Sequence, residues 1–290
     1  MELWKWSCIK KEKSTKLKRL LRLTLNKIRF ALATRIAFDR RASMKCLAVY
    51  DWEAGLGMGS GYQVLSEHLS KITFEAKNLK VVFQDWPRAK KISHNDLATL
   101  FGQVDQVKSI EGELEFPLNG NHIRGSFLIS SMPKMFFVAL PKGVEKVASF
   151  EAFAKRLAEK VKLGYGYVFH SEDGDEPALY ASGVTYVKAG ESADPKSSET
   201  DERWFNELVL GKDGRKRYRD DGMMRNVYYL NILNVHHLER KINGESFLSL
   251  IPKMSWGNIK KIGTDNWLWR VGGESRAEAQ NYLRSSSVLI

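Results

Sequence analysis

Residues 112–141 read GELEFPLNGNHIRGSFLISSMPKMFFVALP, and Leu114, Phe116 and Leu118 alternate with polar neighbours up to an Asn119-Gly120 dipeptide. Alternation at a period of two puts one set of side chains on each face of a strand, and Asn-Gly suits the tight two-residue turn that joins antiparallel strands. The stretch therefore predicts a hairpin-rich region. Upstream, CLAVYDW (46–52) and LKVVFQDW (79–86) are further strand-like runs rich in β-branched and aromatic residues. Between them and the hairpins, SHNDLATLFGQV (93–104) opens on a capping-box spacing from Ser93 to Asp96 and sets Leu97, Leu100, Phe101 and Val104 on one helical face.

Downstream, SFEAFAKRLAEKVKLG (149–164) carries Phe150, Phe153, Ala154, Leu157, Ala158 and Val161 at helical spacing, with lysines in the last turn and Gly164 just beyond. YGYVFH (165–170) and PALYASGVTYV (177–187) read as two strands joined by an acidic loop, and residues 188–201 read as a surface loop or hinge. Trp204, Phe205, Leu208 and Val209 mark another helix. NWLWRV (266–271) alternates as a strand, and a closing helix takes Ser275 and Glu278 as its capping box. Strands and helices mixed without a regular period predict an α+β fold, with a mixed or mainly antiparallel sheet packed by several helices.

The chain has 290 residues, 43% of them hydrophobic, enough for one large core or two modest ones. No apolar run reaches the length of a membrane-spanning helix. Cys8 and Cys46 lie far apart and form no metal or disulfide pattern, which fits a reducing, cytoplasmic setting. The formal charge of +12 is unevenly placed: residues 1–43 hold 13 Lys and Arg against 3 acids, whereas the remaining 247 residues hold 33 basic and 31 acidic side chains. Three segments follow: a basic extension (1–43) and two α+β halves (44–147 and 148–290), or a single domain over 44–290.

In the extension, STKLKRLLRLTLNKIRFALATRIAF (14–38) predicts a basic amphipathic helix. Leu17, Leu21, Leu25, Ile28 and Leu32 line one stripe, and Lys18, Arg19, Arg22, Lys27 and Arg29 lie opposite. Such a helix suits contact with an anionic membrane surface or nucleic-acid backbone, or a transit peptide. A tail preceding a biological start at Met44 is the plainer expectation.

Several motifs carry residue types that could do chemistry. Gly55, Gly57, Gly59 and Gly61 follow a strand, yet their phase departs from a dinucleotide fingerprint and no Walker lysine follows. Asp51 with Glu75-x-Lys77 loosely resembles the acid and Glu-x-Lys set of metal-dependent nucleases, where two carboxylates hold a divalent ion and a lysine stabilises developing charge, although Glu-x-Lys triplets are common by chance in a chain with 28% charged residues. Glu111, Glu113 and Glu115 would make one strand face acidic, read as a solvated face that would suit a basic partner. His170 and the Glu172, Asp173, Asp175, Glu176 loop lack calcium-loop register and read as a solvated turn or the rim of an interface. Adjacent His236 and His237 point about 100° apart on a helix and to opposite faces on a strand, so they do not share a metal. They read as polar residues capping or turning a packed element. No metal and no cofactor is expected.

The pattern RNVYYLNILN (225–234), followed by GNIKKIG, NWLWRV and YLRSSSVLI, resembles the C-terminal half of an uncharacterised bacterial α+β family that is itself similar to toxin-immunity proteins. The resemblance covers residues 148–290, and its motif residues Arg225, Val227, Tyr228, Asn231, Leu233 and Trp269 carry architecture. It implies a non-enzymatic, cytoplasmic binding protein that occludes a partner such as a toxin domain. Phe136, Phe137 and Tyr165 are then candidate anchors, with Glu172, Asp173, Asp175 and Glu176 as rim. The alternatives are a metal-dependent nuclease or hydrolase using Asp51, Glu75 and Lys77, and a membrane-surface or nucleic-acid-associated protein tethered by residues 14–38.

Overall fold

The computed structural model describes residues 43–52, 58–70, 74–83, 89–93, 107–118, 121–131, 134–144, 149–171, 177–183, 203–204, 206–208 and 215–290. The predicted helices over 14–38, with Lys18, Arg19, Arg22, Lys27 and Arg29, and over 93–104 beyond Ser93 lie outside these residues. So do Gly55, Gly57, the Asn119-Gly120 turn, and Glu172, Asp173, Asp175 and Glu176.

The strands are β1 (Met44–Trp52), β2 (Glu75–Phe83), β3 (Lys90–Lys91), β4 (Val107–Leu118), β5 (Asn121–Ser131), β6 (Lys134–Pro141), β7 (Leu163–Ser171), β8 (Leu230–Asn234), β9 (Lys241–Ile242), β10 (Glu245–Ser246), β11 (Asn258–Ile262) and β12 (Asn266–Arg270). The helices are α1 (Met58–Leu69), α2 (Phe150–Lys160), α3 (Pro177–Ala181), α4 (Arg217–Asp220), α5 (Val235–Glu239), α6 (Phe247–Lys253) and α7 (Gly273–Ser285). Ten strands form one sheet in the order β11-β12-β8-β7-β1-β6-β5-β4-β2-β3, and every pairing in it is antiparallel. β9 and β10 make a separate small hairpin across Asn243-Gly244. No described helix is long and apolar enough to cross a membrane.

The register explains why these residues make one sheet. A single row runs Leu268–Ile232–Gly166–Val49–Phe136–Ile129–Ile110–Val81 across eight strands, flanked by Lys260 on β11 and Lys90 on β3. That face is covered by α1 and α2, whose Tyr62, Leu65, Phe153 and Leu157 join the same core. On the opposite face the neighbouring positions are Tyr167, Ala48, Phe137, Leu128 and Glu111, so burial on both faces gives way to charge towards β4 and β2. β1 sits between β6 and β7, so strands from both sides of residue 147 share the sheet.

Three local readings need correction. α2 ends at Lys160, and Gly164 lies inside β7; a Cβ there would meet the Asp51 carbonyl oxygen at 2.9 Å, so the glycine serves close strand approach instead of helix capping. Residues 177–181, read as strand, form α3 with Pro177 in its first turn, where the missing N–H costs nothing. α7 starts at Gly273 with Gly272 as its N-cap, so Ser275 and Glu278 are not its capping box. They tie the helix down: the Ser275 hydroxyl donates to Ser255 O (3.2 Å) and Glu278 accepts from the Trp256 indole (3.3 Å).

Candidate functional site

The nuclease set is not assembled. Asp51 lies on β1, whereas Glu75 and Lys77 lie on β2, with β6, β5 and β4 between them. Four inter-strand steps separate them by about 19 Å, too far for two carboxylates to hold one ion. Lys77 instead pairs with Glu75 (3.3 Å) and with Glu115, and its hydrogen bond holds the Glu115 carboxyl below the usual range. Glu75→Ala therefore leaves the thermal midpoint within about 2 °C of the parent by differential scanning fluorimetry.

The three glutamates of β4 share a face, as their spacing predicted, but Glu111 and Glu115 are buried instead of solvated. Cross-strand Lys80 and Lys77 offset them, with His122 and Arg124 also near Glu115. Phe136, Phe137 and Tyr165, read as partner anchors, are at most 1% exposed. Phe136 packs on Phe153 of α2, and Tyr165 packs among Tyr50, Trp204 and His237. In this fold they fill the core and offer no surface to a partner.

His236 is exposed and His237 is buried, so the adjacent rings diverge as the geometry requires. Asn234 ends β8 and caps α5, its side chain accepting from the His237 N–H while the His237 ring returns to the Asn234 N–H. The signal was present in the sequence as Asn-x-x-His, a capping box with histidine in the usual place of glutamate.

What the fold does gather is a polar and aromatic cluster on the face of β1 and β7 away from α1 and α2. Tyr50 and Tyr167, opposed through neighbouring register pairs, bring their hydroxyls to 2.8 Å, and Tyr50 also donates to Ala181 O (2.7 Å). Arg225, buried, donates to the Tyr167 hydroxyl (2.7 Å) and to Tyr180 O (2.6 Å), and its guanidinium lies 3.9 Å from the Tyr180 ring centre. Tyr228 stacks on Tyr167 at 4.0 Å and reaches the Tyr180 hydroxyl at 3.0 Å. Burial pushes the hydroxyls of Tyr50, Tyr165 and Tyr228 well above their ordinary range and that of Tyr167 to about 12. They stay protonated at neutral pH and act as neutral hydrogen-bonding groups around one cation.

At the edge of this cluster, Asp51 holds the left-handed φ of 43° and is buried. Its carboxylate accepts from the Tyr218 hydroxyl (2.7 Å) and Lys216 (3.1 Å), with Arg219 at 3.7 Å. Burial, then the charge of Asp51, drives the Tyr218 hydroxyl far above its usual range, so the proton stays on tyrosine. The basic run Arg215–Arg219 is spent within the fold: Arg215 pairs with Asp221, Lys216 with Asp51, Arg217 with Glu207 and Arg219 with Asp220. Asp51, through Lys216 and Tyr218, clasps residues 215–221 to the sheet, and the Arg215 and Arg219 pairs brace the segment itself.

Among the described residues no group of three or more His, Cys, Asp or Glu is arranged to hold a metal ion. Exposed basic groups lie at the β11 edge, where Asn258, Lys260 and Lys261 face solvent, and at the β3 edge with Lys90 and Lys91. Lys261 lies over the Trp267 ring at 5.4 Å. Neither Lys260 nor Lys261 was singled out from the sequence, because edge position depends on strand order. No protein-family model, curated protein or solved structure matches this chain.

Proposed function

We propose that the protein is a non-catalytic binding module that occludes a partner protein, and that its β11 edge takes an acidic, extended segment of that partner. The observation that carries the reading is a basic strand at the end of the sheet. β11 ends the ten-stranded sheet, so the outer row of its backbone N–H and C=O groups is unused by the described strands. Strand addition to such an edge supplies main-chain hydrogen bonds, and flanking side chains supply selectivity.

The edge is held in place before any partner arrives. Ile262 is part of the core, and Ile259 opposes Trp269, whose indole donates to Trp256 O at 2.9 Å. A pre-ordered edge loses little conformational entropy on binding. Charge favours an acidic occupant, because Lys260 and Lys261 are both exposed on this edge and β11 itself carries no acid. Lysines on an edge also discourage pairing with a like edge, which works against a second copy of this chain. The resemblance to immunity-type proteins points to the same class of function.

The test is affinity capture from the native host with the parent chain and with Lys260→Glu/Lys261→Glu as baits. Reversal of both charges lowers recovery of a stoichiometric partner at least about tenfold at low salt, through slower association and weaker pairing. Equal recovery on both baits contradicts the reading.

A further inference from the structure

We propose that Asn234 and His237 form an acid-sensitive latch on residues 216–223, and that protonation of His237 frees this segment while the sheet stays folded. Asn234 joins three elements through one side chain. Its Nδ2 donates to Gly164 O on β7 and to Arg219 O on α4, each at 2.9 Å, and its Oδ1 caps α5. His237 holds that arrangement, its Nδ1 lying 3.2 Å from the Asn234 N–H and 2.7 Å from Oδ1. The ring stacks on Tyr165 of β7 at 5.3 Å and is 1% exposed. Residues 216–223 run directly against this turn: Gly222, at φ 63°, leaves no room for a Cβ, which would meet the His236 carbonyl oxygen at 2.3 Å.

Burial makes a proton on the ring costly. Tyr165 faces it from β7, Asn234 from β8, and the Met223 backbone from the clasped segment. The titratable neighbour is His236 on α5 and the charged one Arg240 just after it; Arg240 donates to the Asp221 carbonyl oxygen, and the Asp221 carboxylate is engaged by Arg215. Burial first, then His236 and Arg240, hold the ring's pKa near 3, with the Met223 backbone opposing them in part. The sign follows. An opened segment restores an ordinary value of about 6.5, so the open form binds the proton and acid favours opening. The closed-to-open ratio is unaffected above about pH 6.5 and falls about tenfold for each unit below it, until the folded ring itself titrates. Opening withdraws Lys216, Tyr218 and Arg219 from Asp51, exposing a basic segment that neutral pH keeps paired.

Hydrogen exchange read by mass spectrometry, corrected for intrinsic rates, tests the latch between pH 7 and 4.5. Protection over residues 215–224 should fall about tenfold per unit below pH 6.5 while β1 keeps its protection. His237→Gln, which retains a capping side chain without a titrating ring, should flatten that slope. Loss of protection at 215–224 and β1 together, no loss at either, or an unchanged slope in His237→Gln overturns the latch. The ring's own titration by NMR in the unaltered chain is independent of the variant, and a midpoint above pH 6 overturns it as well.

Discussion

Arg225→Ala is expected to destabilise the protein by about 4 kcal/mol. Its removal takes away two charge-assisted hydrogen bonds, at about 1.5–3 kcal/mol each, leaving the Tyr180 carbonyl only the Gly183 N–H and the Tyr167 hydroxyl only Tyr50. It also opens a cavity where the guanidinium lay between Tyr180 and Trp204, adding to the loss. Against a net stability of about 5–15 kcal/mol, that populates the unfolded state. Arg225→Met fills the volume without donating and should cost about 2–3 kcal/mol. Arg225→Lys keeps the charge but cannot stack flat on Tyr180, and should also lose about 2 kcal/mol. Urea denaturation of the three variants separates volume, donors and stacking; an Arg225→Met variant as stable as the parent would contradict the hydrogen-bonding role.

Asp51→Ala carries the second large effect, a loss of about 3 kcal/mol. Lys216 and the Tyr218 hydroxyl would lose a buried acceptor and Arg219, still paired with Asp220, a second nearby carboxylate; breaking the Lys216 pair from one side leaves uncompensated charge. The partial exposure of Lys216 and Arg219 keeps the figure at the lower end. Asp51→Asn keeps an acceptor for Tyr218, and asparagine tolerates the left-handed backbone at this position, so it should recover about half the loss. Equilibrium unfolding at neutral pH checks both variants. Near-parent stability for Asp51→Ala would mean that residues 215–221 are held by other contacts.

The sheet was legible because alternation in residues 112–141 and the apolar runs of β1 and β7 are local signals. The same holds for α2, whose stripe from Phe150 to Ala158 is buried as its spacing predicts. Pro177–Ala181 was misread because a short apolar run has no period long enough to separate strand from helix. Aromatic identity suggests Phe136, Phe137 and Tyr165 as anchors, but it says nothing of which face a strand buries, or whether both are buried. The partners of Asp51 arrive 165 and 167 residues later in the chain, and those of Arg225 come from β7 and α3. No local pattern predicts such meetings; only strand order does. The reading of His236 and His237 as residues that cap or turn a packed element agrees with the structure, because a capping box spans only the four residues from Asn234 to His237.

The most direct test of the binding account is zero-length carbodiimide cross-linking of the parent chain to the partner it captures from its native host, with the joined peptides read by mass spectrometry. The account predicts that Lys260 or Lys261 is joined to an aspartate or glutamate of the partner. Partner cross-links confined to lysines away from β11 would contradict it.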